Sequence, residues 1–583
     1  MTPAAIHYRC GTKSFVTSYC GRNPRPVGAT AIASAYQFKP HERPFLPGSP
    51  ATPDHPFARR VGYFAIGILL GLTGGFSNAL LLANLPQIQG SLGLSQVQGG
   101  WLTAISSMTS VCMSMLLIKF RQQFGMQRFT RVFLSAFLVL NVLQLIVHSF
   151  GVQLIVRGAS GIVASALTTL CFLYIMQALP AAARLSGMII GFAASQIALP
   201  LARTLSPLLL VDGRIEALFW FELGLTLMCL GAVALLRLPP SERTPAFERI
   251  DFLTFALFAP GVALLCAVLV QGRIQWWSTP WLGYATAAAI PLIGVALLIE
   301  HNRANPLLNT RWMLGRNIIR FGIVAASLRI LLSEQTYGTV GLLSVVGMGN
   351  DQLVTLSLCM VLGSIAGLIV GLKTLNMADL YKPVVIAVAL IGIGAWMDSD
   401  STNLTRPSSL YLSQTIIAFA ALYFLGPMLM IGIFRALARG TTHIVSFSAL
   451  FGITQTLGGL AGTALLGSFQ IVREKYHSFE LVQSLTLTDP VVAQRIQQLG
   501  GAYARVQGDP VLRQGTGTSL LAQQVTREAN ILAFNDVFLA VAILSAMVVV
   551  WLGALWLRFR LRGENPLAAD LAAVQRMRQQ QSS

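Results

Sequence analysis

Charge is scarce in this chain of 583 residues: 11% of positions are charged, against the roughly 25% usual in a soluble domain. Acidic residues are the scarcer sign, 22 against 41 Lys and Arg. So little charge excludes a soluble globular protein of this length. The seven histidines, at positions 7, 41, 55, 148, 301, 443 and 477, fall in expected tails, loops or helix ends. There is no His-Glu-x-x-His and no nucleophile elbow, so a membrane-embedded enzyme lacks convergent ligands or an activated nucleophile. No glycine loop ends in Gly-Lys-Ser/Thr, which excludes a pump driven directly by ATP. Of the seven cysteines, Cys112, Cys171, Cys229, Cys266 and Cys359 fall in apolar runs. Cys10 and Cys20 precede them, so no disulfide framework is expected. The first 60 residues hold no apolar stretch of the signal-peptide kind beside the start.

What fills the chain is apolar: 54% of residues are hydrophobic, gathered in runs of the roughly 20 residues a membrane-crossing helix needs. Fourteen spans are predicted, over 62–85, 98–118, 131–149, 152–178, 185–208, 215–236, 252–271, 279–299, 317–345, 352–372, 382–397, 409–434, 444–471 and 532–557. An even number places both termini on one side. The short loops of that side carry 16 Lys or Arg, among them Lys119, Arg121, Arg128, Arg316 and Arg435; the opposite short loops carry only Arg214, Arg273 and Arg406. Basic loops face the cytoplasm, so both termini are expected there. The net charge of +19 therefore reports topology and contact with anionic lipid. A nucleic-acid partner is not expected, because no compact basic face lies outside the spans.

The expected fold is all-α and polytopic, in a 6+2+6 arrangement. Residues 1–61 are rich in Pro, Ser, Thr and Gly and read as a cytoplasmic, largely disordered tail. A six-helix bundle follows over 62–237, an inserted helix pair with its linkers over 238–316, a second six-helix bundle over 317–558, and a cytoplasmic tail over 559–583. Two six-helix halves related by a pseudo-two-fold axis place a substrate site at their interface. Within the second bundle, 472–530 reads as an outer loop with helix-like stretches at 490–499 and 520–529. Loops of such length are usually functional or disordered, and a solvated spacer and a docking surface are both compatible with it.

Several short segments occur in a telling order: Ala83-Asn84-Leu85-Pro86-Gln87-Ile88 with Trp101, Gln275-Trp276-Trp277-Ser278-Thr279-Pro280-Trp281, Asn305-Pro306-Leu307 with Arg316-Asn317, Leu457-Gly458-Gly459, and Ala529 to Phe538. On these the chain resembles the major facilitator superfamily over residues 62–558 and, within it, the 14-helix drug/proton antiporters of the EmrB/QacA type. The resemblance implies a major facilitator fold working by alternating access, with no cofactor and no metal. Its functional motifs are altered here. In the gating loop after the second span Gly125, Arg128 and basic charge, including Lys119, persist, but Ile118, Gln122 and Gln123 replace the first glycine, the aspartate and the arginine. Arg157 and Gly161 match the motif of the fourth span, with Ser160 where glutamine is expected. Of the antiporter motif in the fifth span only the kinking Pro200 remains, and Arg203 occupies a position the family keeps small. Ser77 stands where the family's first-span aspartate is expected, and Glu222 where asparagine is usual.

Ionisable residues inside the spans are few and each costs roughly 2.5 to 3.5 kcal/mol on insertion scales. Arg157, Arg203 and Arg329, with Gln196, Gln414, Gln455 and Asn78, are candidates for lining a substrate cavity. Arg329 follows Asn317 by about 18 Å of helix rise, near the midplane. The proton-coupling candidates are Glu222, Asp536 and Glu334. Glu222 is expected to replace the missing aspartate as the titrating group, the alternative being a static pair with Arg203 or Arg329. Glu334 and Asp536 are expected nearer the outer surface, solvated or capping. Met and aromatic side chains such as Met108, Tyr174, Phe192, Trp220 and Tyr423 either line an adaptable apolar site or pack the core.

These features predict a secondary transporter of the bacterial inner membrane, exporting hydrophobic or amphipathic compounds in exchange for protons. The alternatives are a transport-inactive sensor or scaffold derived from such a protein, and an exporter of one endogenous metabolite, lipid or siderophore. Expected partners are a small amphipathic substrate, protons, membrane lipids and, if the resemblance to Gram-negative members holds, a periplasmic adaptor protein meeting 472–530.

Overall fold

The computed structural model describes residues 49–582 apart from 148, 181–182, 211–212, 242–245, 304, 441–442, 487 and 564. The tail expected to be disordered lies outside the described residues as far as 48. Its last part is not disordered: Ala51 is fully buried, its N–H donates to the Pro240 carbonyl and its carbonyl accepts from Gln177.

The described residues form helices and no strands. The first group is α1 (Phe57–Ala83), α2 (Leu85–Leu92), α3 (Gln96–Phe124), α4 (Met126–Ile146), α5 (Phe150–Ala178), α6 (Arg184–Leu209) and α7 (Glu216–Leu235). A pair follows, α8 (Arg249–Gln275) and α9 (Pro280–His301), then the short α10 (Thr310–Met313). The last group is α11 (Arg316–Leu331), α12 (Thr339–Val345), α13 (Val354–Lys373), α14 (Tyr381–Asp398), α15 (Tyr411–Tyr423), α16 (Leu425–Leu437), α17 (His443–Gln483), α18 (Pro490–Gly501), α19 (Pro510–Leu561) and α20 (Ala568–Ser582). Twelve helical stretches among the described residues are long and apolar enough to cross a membrane. Alongside them run α3 and the rod made by α11 and α12, which a π-helical turn at Glu334–Gly338 interrupts. The architecture thus accommodates fourteen spans.

Both groups use the same packing device. In α1, Gly67, Gly71 and Gly75 recur every four residues and let the helix lie against α5 and α6; a Cβ on Gly71 would stand 2.7 Å from Cys171 Sγ. In α13, Gly363, Gly367 and Gly371 do the same against the backbone of α15, where a Cβ on Gly363 would stand 2.6 Å from the Thr415 carbonyl oxygen. Lipid offers no hydrophobic drive for helix pairing, so close backbone approach through small residues supplies the attraction. Separate apolar cores form around Leu70, Leu167 and Tyr174 in the first group and around Phe321, Val388 and Ile417 in the last. The inserted pair attaches to one helix of each group, as Phe258, Cys266 and Ala296 pack with Val111 of α3 and Ala449 of α17.

The segment 472–530 is not an open loop. Helix α17 continues to Gln483 and α19 already begins at Pro510, so two spans extend beyond their apolar parts as a helical hairpin with α18 packed on α19. Asp489 and Asp509 start the two later helices, each accepting a hydrogen bond from the second residue beyond it, Val491 at 2.8 Å and Val511 at 2.9 Å. An N-capping Asp followed by Pro at the first helical position is a strong helix start.

Substituting Gly367 with Leu should destabilise the protein by at least ~1–3 kcal/mol through overpacking against the Phe419 backbone, lowering the thermal unfolding midpoint in detergent. Gly231→Ala on α7, where nothing lies within 4 Å of a new Cβ, should leave the midpoint unchanged or slightly raised.

Candidate functional site

A cavity of about 450 Å³ lies between the two groups, walled by α1, α3, α5 and α6 on one side and by α11, α13, α16 and α17 on the other. That volume is within the range of pockets that enclose a drug-sized molecule. Its polar side chains include Asn78, Gln196, Arg329, Gln335 and Gln455, and its apolar ones Phe172, Met188, Phe192 and Leu199. Arg329 donates through Nε to the Gln455 carbonyl at 3.2 Å and through Nη1 to Gln196 Oε1 at 3.4 Å. The Nε2 of Gln455 and the Oδ1 of Asn78 have no hydrogen-bond partner among the described residues. The cavity extends to Arg121 and Gln122 near the end of α3 and to Ile444 and Val445 at the start of α17. Towards the other end of the bundle, Asn350 joins the groups by donating to the Ala83 carbonyl at 2.8 Å and to Asn84 Oδ1 at 3.1 Å. Asn84 in turn donates to Ser206 Oγ.

Of the residues predicted to line this space, Asn78, Gln196, Arg329 and Gln455 do so, together with the kink residue Pro200. Phe192 joins them, whereas Tyr174 is core and Trp220 is exposed. Arg157 does not line the cavity. It is buried, donates to the Ser77 carbonyl at 3.0 Å and meets Glu222 at 3.4 Å. Glu222 therefore has a charged partner, and that partner is Arg157 rather than Arg203 or Arg329. The reason is geometric: α5 and α7 both pack on α1, and Arg157 and Glu222 each lie about two turns from the start of their helices. Arg203 is buried on α6, one turn beyond Pro200 and outside the cavity wall.

Glu334 is not a solvated group. It is fully buried at the π-helical turn, where Oε1 accepts from Thr339 at 2.8 Å and from Gln414 Nε2 at 3.0 Å. The same Nε2 donates to Asp398 Oδ2 at 2.7 Å, and Gln335, on the cavity wall, donates to the Gln414 carbonyl at 3.2 Å. Gln414 is thus set behind the cavity, bridging two buried carboxylates. Asp398 was missed in the sequence because it closes α14 one residue past the expected span. Asp536 does lie towards the surface, a quarter exposed, between Arg473 Nε and His477 Nε2, both at 2.6 Å.

A carboxylate does lie beside the end of α3, where the gating loop was expected, and α8 supplies it. Lys119 Nζ meets Asp251 Oδ2 of α8 at 2.7 Å, and Arg303 bridges Asp251 at 2.8 Å, Glu300 at 2.7 Å and Glu248 at 2.7 Å. Hydrogen bonds from Arg303 and Asn305 hold the Glu248 carboxyl below the usual carboxylate range. Gly125 makes the turn from α3 to α4 at φ 79°, and Arg128 is exposed.

Two helical bundles around an interfacial polar cavity have the architecture of a secondary transporter. The sequence profile of the Major Facilitator Superfamily matches residues 67–463, and the chain belongs to that superfamily. Multidrug export protein EmrB of Escherichia coli K12 is 21% identical over 322 residues, which cover 53% of this chain and 58% of that protein. EmrB of Escherichia coli O157:H7 matches to the same extent. The fold is shared with the crystal structure of tetrameric PepTSo2, at a TM-score of 0.51 and 12% identity over 86% of this chain and 99% of that one. A POT family transporter in complex with 5-aminolevulinic acid superposes with a TM-score of 0.50 and 12% identity over 87% and 99%.

Because a buried charge left without its partner costs ~3–5 kcal/mol, Arg157→Met and Glu222→Met should each lower the unfolding midpoint markedly. The double variant should recover most of the loss, which thermal unfolding of the four proteins in one detergent will read directly.

Proposed function

We propose that this protein is a proton-coupled exporter of hydrophobic or amphipathic compounds, working by alternating access. The observation that carries the reading is the cavity of about 450 Å³ between the bundles, with apolar walls and a few convergent polar groups, joined across its far end by Asn350. Such a cavity favours transport over a scaffold role, since a protein that no longer transports has no need of a ligand-sized space at its centre. The 21% identity to a multidrug export protein supports export of drug-like compounds. In this reading the basic side, on which α1 begins and α19 ends, faces the cytoplasm of a bacterial inner membrane, which the bias of the loop charges supports. The hairpin formed by 472–530 then projects on the opposite side, where exposed Tyr476, Phe479 and Val482 offer a surface to a periplasmic adaptor.

Coupling is carried by Glu334 and Asp398 rather than by Glu222. An exchanger needs a carboxylate that gains and loses a proton during the cycle. Glu222 is paired with the Arg157 guanidinium, whereas Glu334 and Asp398 share one amide donor, so two negative charges there are opposed by mutual repulsion. Their place behind Gln335 sets them one side chain from the cavity, and the π-helical turn beneath Glu334 gives the rod a point at which to bend.

In proteoliposomes loaded with a pH-sensitive dye, Glu334→Gln and Asp398→Asn should each abolish substrate-induced proton movement. A Glu222→Gln variant that stays folded should retain it. Loss of coupling in the Glu222 variant alone would overturn the assignment.

A further inference from the structure

Among the described residues the cavity wall contains two arginines, Arg329 and Arg121, and no Asp, Glu, Lys or His. Arg329 comes from α11, and the hydrogen-bond partners of its guanidinium are uncharged oxygens, the Gln455 carbonyl and Gln196 Oε1. The intramembrane carboxylates are committed elsewhere: Glu222 to Arg157, Glu334 and Asp398 to Gln414. A guanidinium presents five N–H donors, of which two meet acceptors among the described residues. A charge held in a low-dielectric space without a counter-charge is costly, and the cavity supplies none.

From this we infer that the transported compound is an amphipathic anion whose acid group, a carboxylate or sulfonate, docks on Arg329. A second donor points the same way. The Nε2 of Gln455, on the residue whose carbonyl accepts from the guanidinium, lacks an acceptor among the described residues, and an anionic oxygen would supply one. The guanidinium is fixed in place by close packing, because Gly458 and Gly459 of α17 leave room for it: added Cβ atoms would stand 3.0 Å from Arg329 Cβ and 3.2 Å from its Nε. Phe172 and Phe192, with ring centroids 5.0 Å apart, provide a wall for the apolar body. A lipophilic cation of the same shape meets the same aromatic wall but is repelled by the charge. The inference rests on the reading of this cavity as the substrate site and narrows the class of compound that enters it.

The test uses the full chain in lipid nanodiscs and three dansyl compounds with one fluorescent body: dansylglycine, an anion; dansylamide, neutral; and dansylcadaverine, a cation. Binding is measured against empty nanodiscs. Dansylglycine should bind at least about tenfold more tightly than dansylcadaverine, with dansylamide between them. Arg329→Gln should bring anion and cation within about threefold, and Arg329→Lys, which keeps the charge, should preserve the preference. Gln455→Leu should weaken dansylglycine alone. Equal or tighter binding of the cation, binding of none of the three, or a preference unchanged in folded Arg329→Gln would overturn the inference. Efflux from proteoliposomes separates it from the export reading: dansylglycine bound but not moved defeats export and leaves the anion site standing. Dansylcadaverine moved in preference does the reverse.

Discussion

A polar group this chain carries into the membrane is costly unless another part of the same chain meets it, because hydrocarbon offers no hydrogen bonds. The buried ionisable groups follow from that constraint. Arg157 finds Glu222 and the Ser77 carbonyl; Glu334 and Asp398 are met by one glutamine amide; Asp251, Glu300, Lys119 and Arg303 satisfy one another where α3, α8 and the segment after α9 meet. Each of these clusters joins helices that are distant in sequence, so it also fixes which helices are neighbours.

The cavity is where the constraint is relaxed. Arg329 there meets neutral oxygens, and the amides of Asn78 and Gln455 are left incompletely paired. Around it the bundles are packed through glycine ridges on α1 and α13, and the unpaired amide atoms of Asn78 and Gln455 lie at the interface between halves, where a ligand can answer them. Rigid halves with a soft, polar seam are the arrangement in which one half rocks against the other around a central site.

Much of this was legible in the sequence. Scarce charge, apolar runs and basic loops specified a polytopic helical protein, and the ordered short segments specified the superfamily that the profile match confirms. The cavity side chains Asn78, Gln196, Arg329 and Gln455 were found because amides and charges in apolar runs need a polar surrounding. Less legible were the partners. Asp251, Arg303 and Asp398 sit at span ends, where charged residues are commonplace, and Gln335 is one of several polar residues beside Glu334. The segment 472–530 was read as a loop because its polar composition hides helical continuation, although Asp489-Pro490 and Asp509-Pro510 were visible helix starts.

Composition alone determined that the chain lives in a membrane, since transfer of apolar surface and the positive-inside bias depend on local runs of residues and on nothing distant. The sequence also determined which residues are expensive there. Only the tertiary structure decided how each expense is met: that Glu222 belongs to Arg157, that Glu334 and Asp398 share Gln414, and that Arg329 faces the central cavity with neutral oxygens as its hydrogen-bond partners. Pairing energies depend on separations of a few ångströms between helices scores of residues apart, and helix packing, not sequence spacing, sets those separations.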